Sequence, residues 1–274
     1  MSTWDDGDRP VVRPISPAGW LRVLARGGPV ILVLLIAFPL LLILRLPERL
    51  IFGMRRPITP WITQTVCITT LWVMRLKRHM SGTPLVQGGA MVANHAAWLD
   101  IFVLNAAARV TFVSKSEVAG WPGIGWLARG TGTIFIRRAR VEAARHQGLL
   151  EARMQAGDRL VFFPEGTSTD GQRILPFKST LFAAFFSENL KNRIKVQPVS
   201  IRYEAPVGAD PRFYAWWGDM DFGPSLLQIL AAPRQGAVHI TYHAPLAVAD
   251  FADRKALAAS CEAVMRAGFN AAAR

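Results

Sequence analysis

A histidine and an aspartate that lie five residues apart, His95 and Asp100, have the clearest potential for chemistry. Inside one helix they would point about 140° apart and face different directions. If His95 lies in a loop and Asp100 in the first turn of the next helix, the carboxylate reaches the imidazole. Asp100 would then fix the tautomer of His95 and leave the other ring nitrogen free as a general base. The alternative interpretation is a capping aspartate beside a structural histidine.

The sequence offers this base no nucleophile of its own. It contains no G-x-S-x-G pattern, so the base would activate a hydroxyl group of a substrate. The two cysteines, Cys67 and Cys261, are far apart in the sequence and give neither metal-ligand spacing nor a disulfide framework. A reducing, cytoplasmic-side location is the simplest interpretation of that pattern.

A loop rich in glycine, serine and threonine, from Phe162 to Gly171, follows the predicted strand Leu160–Phe163. At the carboxyl end of a strand, the backbone N–H groups of such a loop can bind an anion or a polar headgroup. Gly166 and Gly171 have the glycine spacing of a phosphate-binding loop, but the Lys-Ser/Thr that must follow is absent, which argues against nucleotide binding. Glu165, among small and apolar neighbours, would either orient a substrate or cap a turn.

Paired arginines, Arg137 and Arg138, follow the predicted strand Thr133–Ile136. Arginine at the exit of a strand suits bidentate binding of a phosphate or a carboxylate. A solvated sheet edge is the alternative interpretation of such a pair, so this feature alone does not establish a binding site.

Short β-branched runs alternate with helical stretches from about residue 84 onward. Strands separated by helices predict an α/β fold with a largely parallel or mixed central sheet flanked by helices. The predicted strands are Ala90–Ala93, Val110–Val113, Thr133–Ile136, Leu160–Phe163, Lys195–Tyr203 and Gly236–His243. The predicted helices are Trp98–Ala107, Val141–Gln155, Ser179–Leu190 and Phe251–Phe269.

An uncharged, apolar run of 18 residues, Gly27–Leu44, precedes this region. As a helix it would reach about 27 Å, just short of the roughly 30 Å hydrocarbon core of a bilayer, and Pro39 is expected to kink it. A second and less apolar stretch, Ile58–Met74, follows. One spanning helix with an interfacial helix, a kinked pair that dips into one leaflet, and a buried hairpin of a soluble protein all fit these lengths. Trp216 and Trp217 are interpreted as a further interfacial anchor, with a place in the core as the alternative.

The composition also favours a membrane surface. The 274 residues are 51% hydrophobic and carry a formal net charge of +13, a combination that excludes disorder and is not typical of a soluble nucleic-acid binder. Residues 1–80 hold eleven Lys and Arg but four Asp and Glu. We therefore predict a basic, membrane-anchoring helical region at 1–80 and an α/β catalytic domain at 81–274.

Taken in order, these features resemble the glycerolipid acyltransferase family that is typified by bacterial 1-acylglycerol-3-phosphate acyltransferases. The segment Leu175–Lys178 also resembles the part of that family that follows its third motif. Four motifs in the same order are far more specific than any one of them. They are His95-x4-Asp100, Phe135-Ile136-Arg137-Arg138, Phe163-Pro164-Glu165-Gly166-Thr167 and Val196-Gln197-Pro198-Val199.

The resemblance implies transfer of a fatty acyl chain from a thioester, on acyl carrier protein or coenzyme A, to the hydroxyl of a lysolipid at the bilayer. It implies that His95 is the general base and that Asp100 orients it. It implies neither a metal nor an organic cofactor, since the thioester is already activated, and no nucleic-acid partner. The residues that it implies for acceptor binding are Arg137, Arg138, Glu165, Gly166, Thr167 and Lys178.

One departure bears on the acceptor. The family commonly continues its third motif as F-P-E-G-T-R-S, whereas Ser168-Thr169-Asp170 follows here. With the segment Trp217–Asp221, this variant looks most like the lyso-ornithine lipid acyltransferase branch, whose acceptor has an amino-acid headgroup. Lysophosphatidate acylation is the alternative within the class, and a non-catalytic membrane lipid-binding protein is the alternative of another class. The expected location is the bacterial inner membrane, with the catalytic domain facing the cytoplasm.

Overall fold

The computed structural model describes residues 4–5, 7–86, 89–137 and 143–272. Within these ranges, eight strands form one sheet. In chain order they are β1 (Lys77–Ser81), β2 (Gly89–Ala93), β3 (Thr111–Lys115), β4 (Ile134–Ile136), β5 (Arg159–Phe162), β6 (Lys195–Glu204), β7 (Ala237–Tyr242) and β8 (Leu246–Ala247).

The sheet is mostly parallel. Its order is β1-β7-β6-β2-β5-β3-β4, and β8 pairs with β6 beside this path. Strand β6 runs antiparallel to β7 and β8, while the other pairs are parallel. The predicted α/β class with a largely parallel, mixed sheet is confirmed.

Helices cover both faces of this sheet. Residues of β2 alternate between the two sides, as the two-residue period of a strand requires. The helices are α1 (Pro17–Phe52), α2 (Thr59–Met74), α3 (Asp100–Ala107), α4 (Ile124–Thr131), α5 (Ala143–Gln155), α6 (Phe222–Ala231) and α7 (Arg254–Ala271). Met91 and Ala93 pack on one side with α2, α3 and α6, while Ala90 and Val92 pack on the other with α5 and α7.

Helix α1 is 36 residues long, which corresponds to about 54 Å. It starts after the N-cap Ser16, whose side chain accepts a hydrogen bond from Gly19 N–H at 3.1 Å, and it continues through Pro29, Pro39 and Pro47. It is long and apolar enough to cross a membrane, and 6% of its most apolar 18-residue window is buried. The residues of that window are therefore mostly exposed or only partly covered by the rest of the protein.

The same helix touches the rest of the protein at several points along its length. Near its start, Arg26 Nη1 donates to the carbonyl oxygens of Leu230 and Ala232 at 2.8 and 2.7 Å. In its middle, the ring of Phe38 lies so close to Gly130 of α4 that a larger residue at that glycine would collide with it. Near its end, the buried Glu48 carboxylate caps α2 by accepting from the N–H groups of Ile58 and Thr59. Helix α1 thus lies along the α/β domain.

Several sequence predictions were wrong in detail. The predicted helix Ser179–Leu190 is a 3-10 helix over Ser179–Phe186. Strand β1 was not predicted and begins inside the region predicted to be a helical anchor. Its five residues are all exposed and lack the apolar alternation by which a strand is recognised in a sequence. Trp217 is 1% exposed and belongs to the core, so it is not an interfacial anchor.

Candidate active site

The site begins where β2 ends. Asn94 follows this strand, and its side chain bonds the backbone of Ile201 in β6 twice: Nδ2 donates to the carbonyl oxygen at 2.8 Å, and Oδ1 accepts from the N–H at 2.7 Å. The amide group therefore extends the pairing of β2 with β6 by one residue beyond Ala93. His95 then leaves the sheet from a rigid starting point.

His95 and Asp100 are in contact. Nδ1 of His95 lies 2.7 Å from Oδ2 of Asp100. Asp100 is the first residue of α3, and His95 lies in the loop before it, which is the arrangement under which the sequence predicted contact. An ionised carboxylate can accept but not donate, so the proton lies on Nδ1 and Nε2 keeps its lone pair. The imidazole is thus oriented as a general base.

The Asp100 carboxylate is fully buried. Besides His95, Oδ2 accepts from the backbone N–H groups of Ala96 and Ala97 at 2.9 and 3.0 Å. Oδ1 accepts from the Tyr203 hydroxyl at 2.7 Å. Burial, and then the Asp100 charge, raise the pKa of Tyr203 well above its ordinary value, so this phenol stays a donor. Four donors and the amino end of α3 together stabilise a negative charge in the interior.

Glu165 holds the backbone of the histidine. Its side chain is buried; Oε1 accepts from His95 N–H at 2.8 Å and Oε2 from Leu175 N–H at 2.7 Å. Burial raises the pKa of Glu165 from 4.5 to about 8, against the lowering effect of these two amides. The carboxylate therefore joins three segments of chain, and both of its oxygen atoms are used within the protein.

The rest of the glycine-rich loop continues this support. Thr169 N–H donates to the carbonyl oxygen of His95 at 2.9 Å, so the loop binds the histidine backbone on both sides. Gly166 has a φ of +72°, a conformation that glycine adopts without strain, and its N–H donates to Phe163. The Phe163 ring stacks on the imidazole with centroids 4.1 Å apart and planes 15° apart. The side chain of His95 is 21% exposed, so the ring remains accessible at its outer edge.

The comparisons with known proteins agree with this geometry. Residues 77–202 match a protein family described as Acyltransferase. The chain is 52% identical over 265 residues to the lyso-ornithine lipid O-acyltransferase of Rhodobacter capsulatus, covering 97% of this chain and 96% of that relative. The chain belongs to the acyltransferase family.

A second relative and a solved structure are also similar to this chain. The 1-acyl-sn-glycerol-3-phosphate acyltransferase of Neisseria meningitidis is 30% identical over 185 residues, covering 66% of this chain and 69% of that protein. The crystal structure of the 1-acyl-sn-glycerophosphate acyltransferase PlsC from Thermotoga maritima superposes with a TM-score of 0.56 at 20% identity, over 89% of this chain and 96% of that chain. The latter likeness shows the fold alone.

In this acyltransferase, the residues predicted for acceptor binding fall into two groups. Glu165 bonds the His95 backbone, and Gly166 and Thr167 follow it in the glycine-rich loop. Arg137 follows β4, which is three strands away from β2, or roughly 14 Å at the usual spacing of strands. Arg137 lines a cleft of about 320 Å³ together with Ser116, Phe135, Arg145, His146 and Leu149.

Lys178 and Arg138 are the other two residues predicted for acceptor binding. Lys178 is half-buried, and its N–H donates to the carbonyl oxygen of Pro164 at 2.9 Å, which joins its segment to the glycine-rich loop. Arg138 lies outside the described residues. Among the residues that the structure describes, no group of three His, Cys, Asp or Glu could hold a metal ion.

Sequence reasoning assigned no role to four residues that build this site: Asn94, Phe163, Thr169 and Tyr203. Tyr203 and Asn94 act across β6, more than a hundred residues from their partners, so no local spacing could have revealed them. Phe163 begins the motif Phe163–Thr167, and Thr169 lies two residues after it. Their position in or next to the motif was the only feature of the sequence that could have indicated a role in the site.

Proposed function

We propose that the protein transfers a fatty acyl chain from an acyl thioester to the hydroxyl group of a lysolipid, and that the acceptor is lyso-ornithine lipid. The observation that carries the reaction type is the His95–Asp100 pair, 2.7 Å apart at the carboxyl end of β2 with Nε2 free of the carboxylate. The extent and identity of the match to the Rhodobacter capsulatus enzyme support the acceptor.

The chemical step needs one base. His95 Nε2 takes the proton of the acceptor hydroxyl while that oxygen attacks the carbonyl carbon of the thioester. The carbon–sulfur bond then breaks, the new ester is released, and the departing thiolate recovers the proton from the imidazolium. Asp100 stabilises the imidazolium and keeps the ring in place throughout. Acyl carrier protein and coenzyme A thioesters both supply the sulfur leaving group that this step requires.

The acceptor site extends, in this proposal, along the carboxyl edge of the sheet from His95 towards β4. Gly166 and Thr167 form the near side, Lys178 is joined to their loop through its N–H bond to the carbonyl oxygen of Pro164, and Arg137 forms the far side. Arg138 follows Arg137 in the sequence and is proposed to bind the same headgroup. Glu165 acts as a positioning residue, since its oxygens bind backbone amides. We therefore assign the chemistry to residues 81–274 and the membrane contact mainly to residues 1–80.

We place the enzyme at the bacterial inner membrane, with the α/β domain on the cytoplasmic side. Helix α1 contacts α6, α4 and α2 in turn along its length, which supports a helix that lies beside the domain with its outer face in one leaflet. Two tryptophans of α2, Trp61 and Trp72, are exposed, and exposed tryptophans suit the bilayer interface.

An acceptor-by-donor assay tests the function. Purified protein in mixed micelles is given lyso-ornithine lipid or lysophosphatidate, each with acyl carrier protein and coenzyme A thioesters, and esterified product is measured. We expect preferred acylation of lyso-ornithine lipid, abolished by His95→Ala. Preference for lysophosphatidate would refute lyso-ornithine lipid as the acceptor. It would favour instead the acceptor that is given in the name of the Neisseria meningitidis relative. Lipid binding without turnover in every combination would favour the non-catalytic alternative.

A further inference from the structure

The chain before α1 crosses to the catalytic end of the sheet. This N-terminal strap, residues 4–5 and 7–15, is held by ion pairs of Arg9 with Asp219 and of Arg212 with Asp8. A hydrogen bond from Gln228 Nε2 to the carbonyl oxygen of Arg13, at 2.6 Å, anchors its other end. The strap therefore has defined contacts on the protein surface beside the glycine-rich loop.

Trp4 is where the strap meets that loop. Its backbone N–H donates to Thr167 Oγ1 at 3.4 Å, and its ring lies 6.2 Å from the buried ring of Trp217. The guanidinium carbon of Arg173 lies over the same ring, 5.3 Å from its centre. A cation next to an aromatic face is favourable and holds the charge in place.

Arg173 is fixed from a second direction by Asp170. Nη2 of Arg173 lies 2.7 Å from Asp170 Oδ2, and the Asp170 side chain is 2% exposed whereas that of Arg173 is 53% exposed. The buried carboxylate positions the guanidinium, and the exposed part of the guanidinium still offers N–H donors to a ligand. The Thr169 hydroxyl lies 3.4 Å from the carbonyl oxygen of Arg173, and Thr169 N–H donates to the carbonyl oxygen of His95. The backbone of this arginine is thereby linked to the loop that supports the base.

The position of this cation has a chemical consequence. The basic residue that commonly follows F-P-E-G-T in the family is a serine here, Ser168. Arg173, five residues further on, instead reaches the ring of Trp4, whose N–H bonds Thr167. Ornithine that is joined to a lipid through its α-amino group keeps a free carboxylate. A guanidinium matches the planar shape of a carboxylate and can bind both of its oxygens.

We propose that Arg173 binds the headgroup carboxylate of the acceptor and so determines specificity for an amino-acid lipid, with Trp4 of the strap as one wall of that subsite. The inference rests on the proposed function, because it needs an acceptor with such a headgroup. Asp170 keeps the guanidinium directed towards the loop, and the strap makes the subsite depend on residues that precede the membrane helix.

The test compares two acceptors and three variants. The acceptors are lyso-ornithine lipid and its carboxyl methyl ester, which has the same hydroxyl and chain but no headgroup anion. With the free acid, we expect Arg173→Gln to raise KM by roughly 10- to 100-fold with little change in kcat, and Arg173→Lys to restore part of the loss. With the ester, we expect the KM of Arg173→Gln to match that of the wild type. Arg193→Gln, at an exposed arginine before β6, is the matched control.

The outcomes separate the two proposals. If the wild-type protein does not acylate lyso-ornithine lipid, the proposed function fails. If it does, and Arg173→Gln alters the free acid and the ester by the same factor, or neither of them, the carboxylate subsite is refuted while the proposed function stands. A thermal unfolding curve of Arg173→Gln that overlays the wild type shows that the change in KM is local.

Discussion

The catalytic loops and the N-terminal helical pair are built on opposite principles. Around His95, two buried carboxylates are held by their neighbours: Asp100 has four donors, and Glu165 has two. Along α1, apolar side chains face outward, and a few polar contacts such as that of Glu48 join the helix to its surroundings. Around His95, function depends on the exact positions of individual atoms. Along α1, it depends on which face of the helix is apolar.

This difference has a physical origin. A buried carboxylate without its donors costs several kcal/mol, so the catalytic loops tolerate few substitutions. An apolar surface that faces lipid is stabilised roughly in proportion to its area, so single positions within it matter less. Variants of the two regions should therefore fail in different ways, one in kcat and the other in membrane binding.

The largest expected effect is that of Asp100→Asn. The amide that replaces the carboxylate removes the charge that stabilises an imidazolium and turns a donor towards groups that are themselves donors. We expect kcat to fall by about 10²- to 10⁴-fold while the protein still binds vesicles. Steady-state kinetics and vesicle flotation measure the two quantities.

Tyr203→Phe is the matched control for that variant. It removes one donor from Oδ1 and leaves the bond between Oδ2 and His95, so we expect a fall in kcat of less than about tenfold. Equal losses in the two variants would mean that the reaction needs the donor on Oδ1 as much as it needs the bond between Oδ2 and the imidazole.

A smaller effect, in a different observable, is expected on α1. Ile36 and Ile43 are seven residues apart, therefore on one face, and are 62% and 66% exposed. Replacing both with Glu should weaken vesicle binding by about tenfold or more per site, since carboxylates are poorly tolerated in the hydrocarbon region. Turnover of a micellar acceptor should stay near that of the wild type. Val207→Glu, on the exposed loop after β6, is the control; unchanged flotation of the α1 variant would exclude that face from the membrane.

The sequence was sufficient where the structure depends on neighbours in the chain. His95 and Asp100 touch because one lies in a short loop and the other in the first turn of the helix that follows it. That contact could be predicted from the motif. The apolar run within α1 was visible for the same reason. Strand β1 was missed because edge position and pairing with β7, not apolar alternation, make it a strand.

The remaining features of the site depend on distant segments. Whether Glu165 would bind a substrate or its own backbone depended on the amides of His95 and Leu175, which approach it only after β2 and β5 pair. Trp217 is a core residue whose ring lies 6.2 Å from that of Trp4 in the strap, a contact between positions far apart in the sequence.

The smallest effect concerns how the buried carboxyl of Glu165 responds to pH. Burial raises its pKa from 4.5 to about 8, so between these values the folded protein keeps a proton that the unfolded chain has lost. Stability should therefore fall as pH rises through this window, by at most about 1.4 kcal/mol per unit, and level off above it. Glu165→Gln cannot titrate and should lack this slope. Thermal unfolding in detergent from pH 5 to 9 should show the stability of the wild type, relative to the variant, declining up to about pH 8. Parallel curves would mean that the two amide bonds keep Glu165 ionised throughout, and the catalytic loops would then be as insensitive to pH as the apolar face of α1.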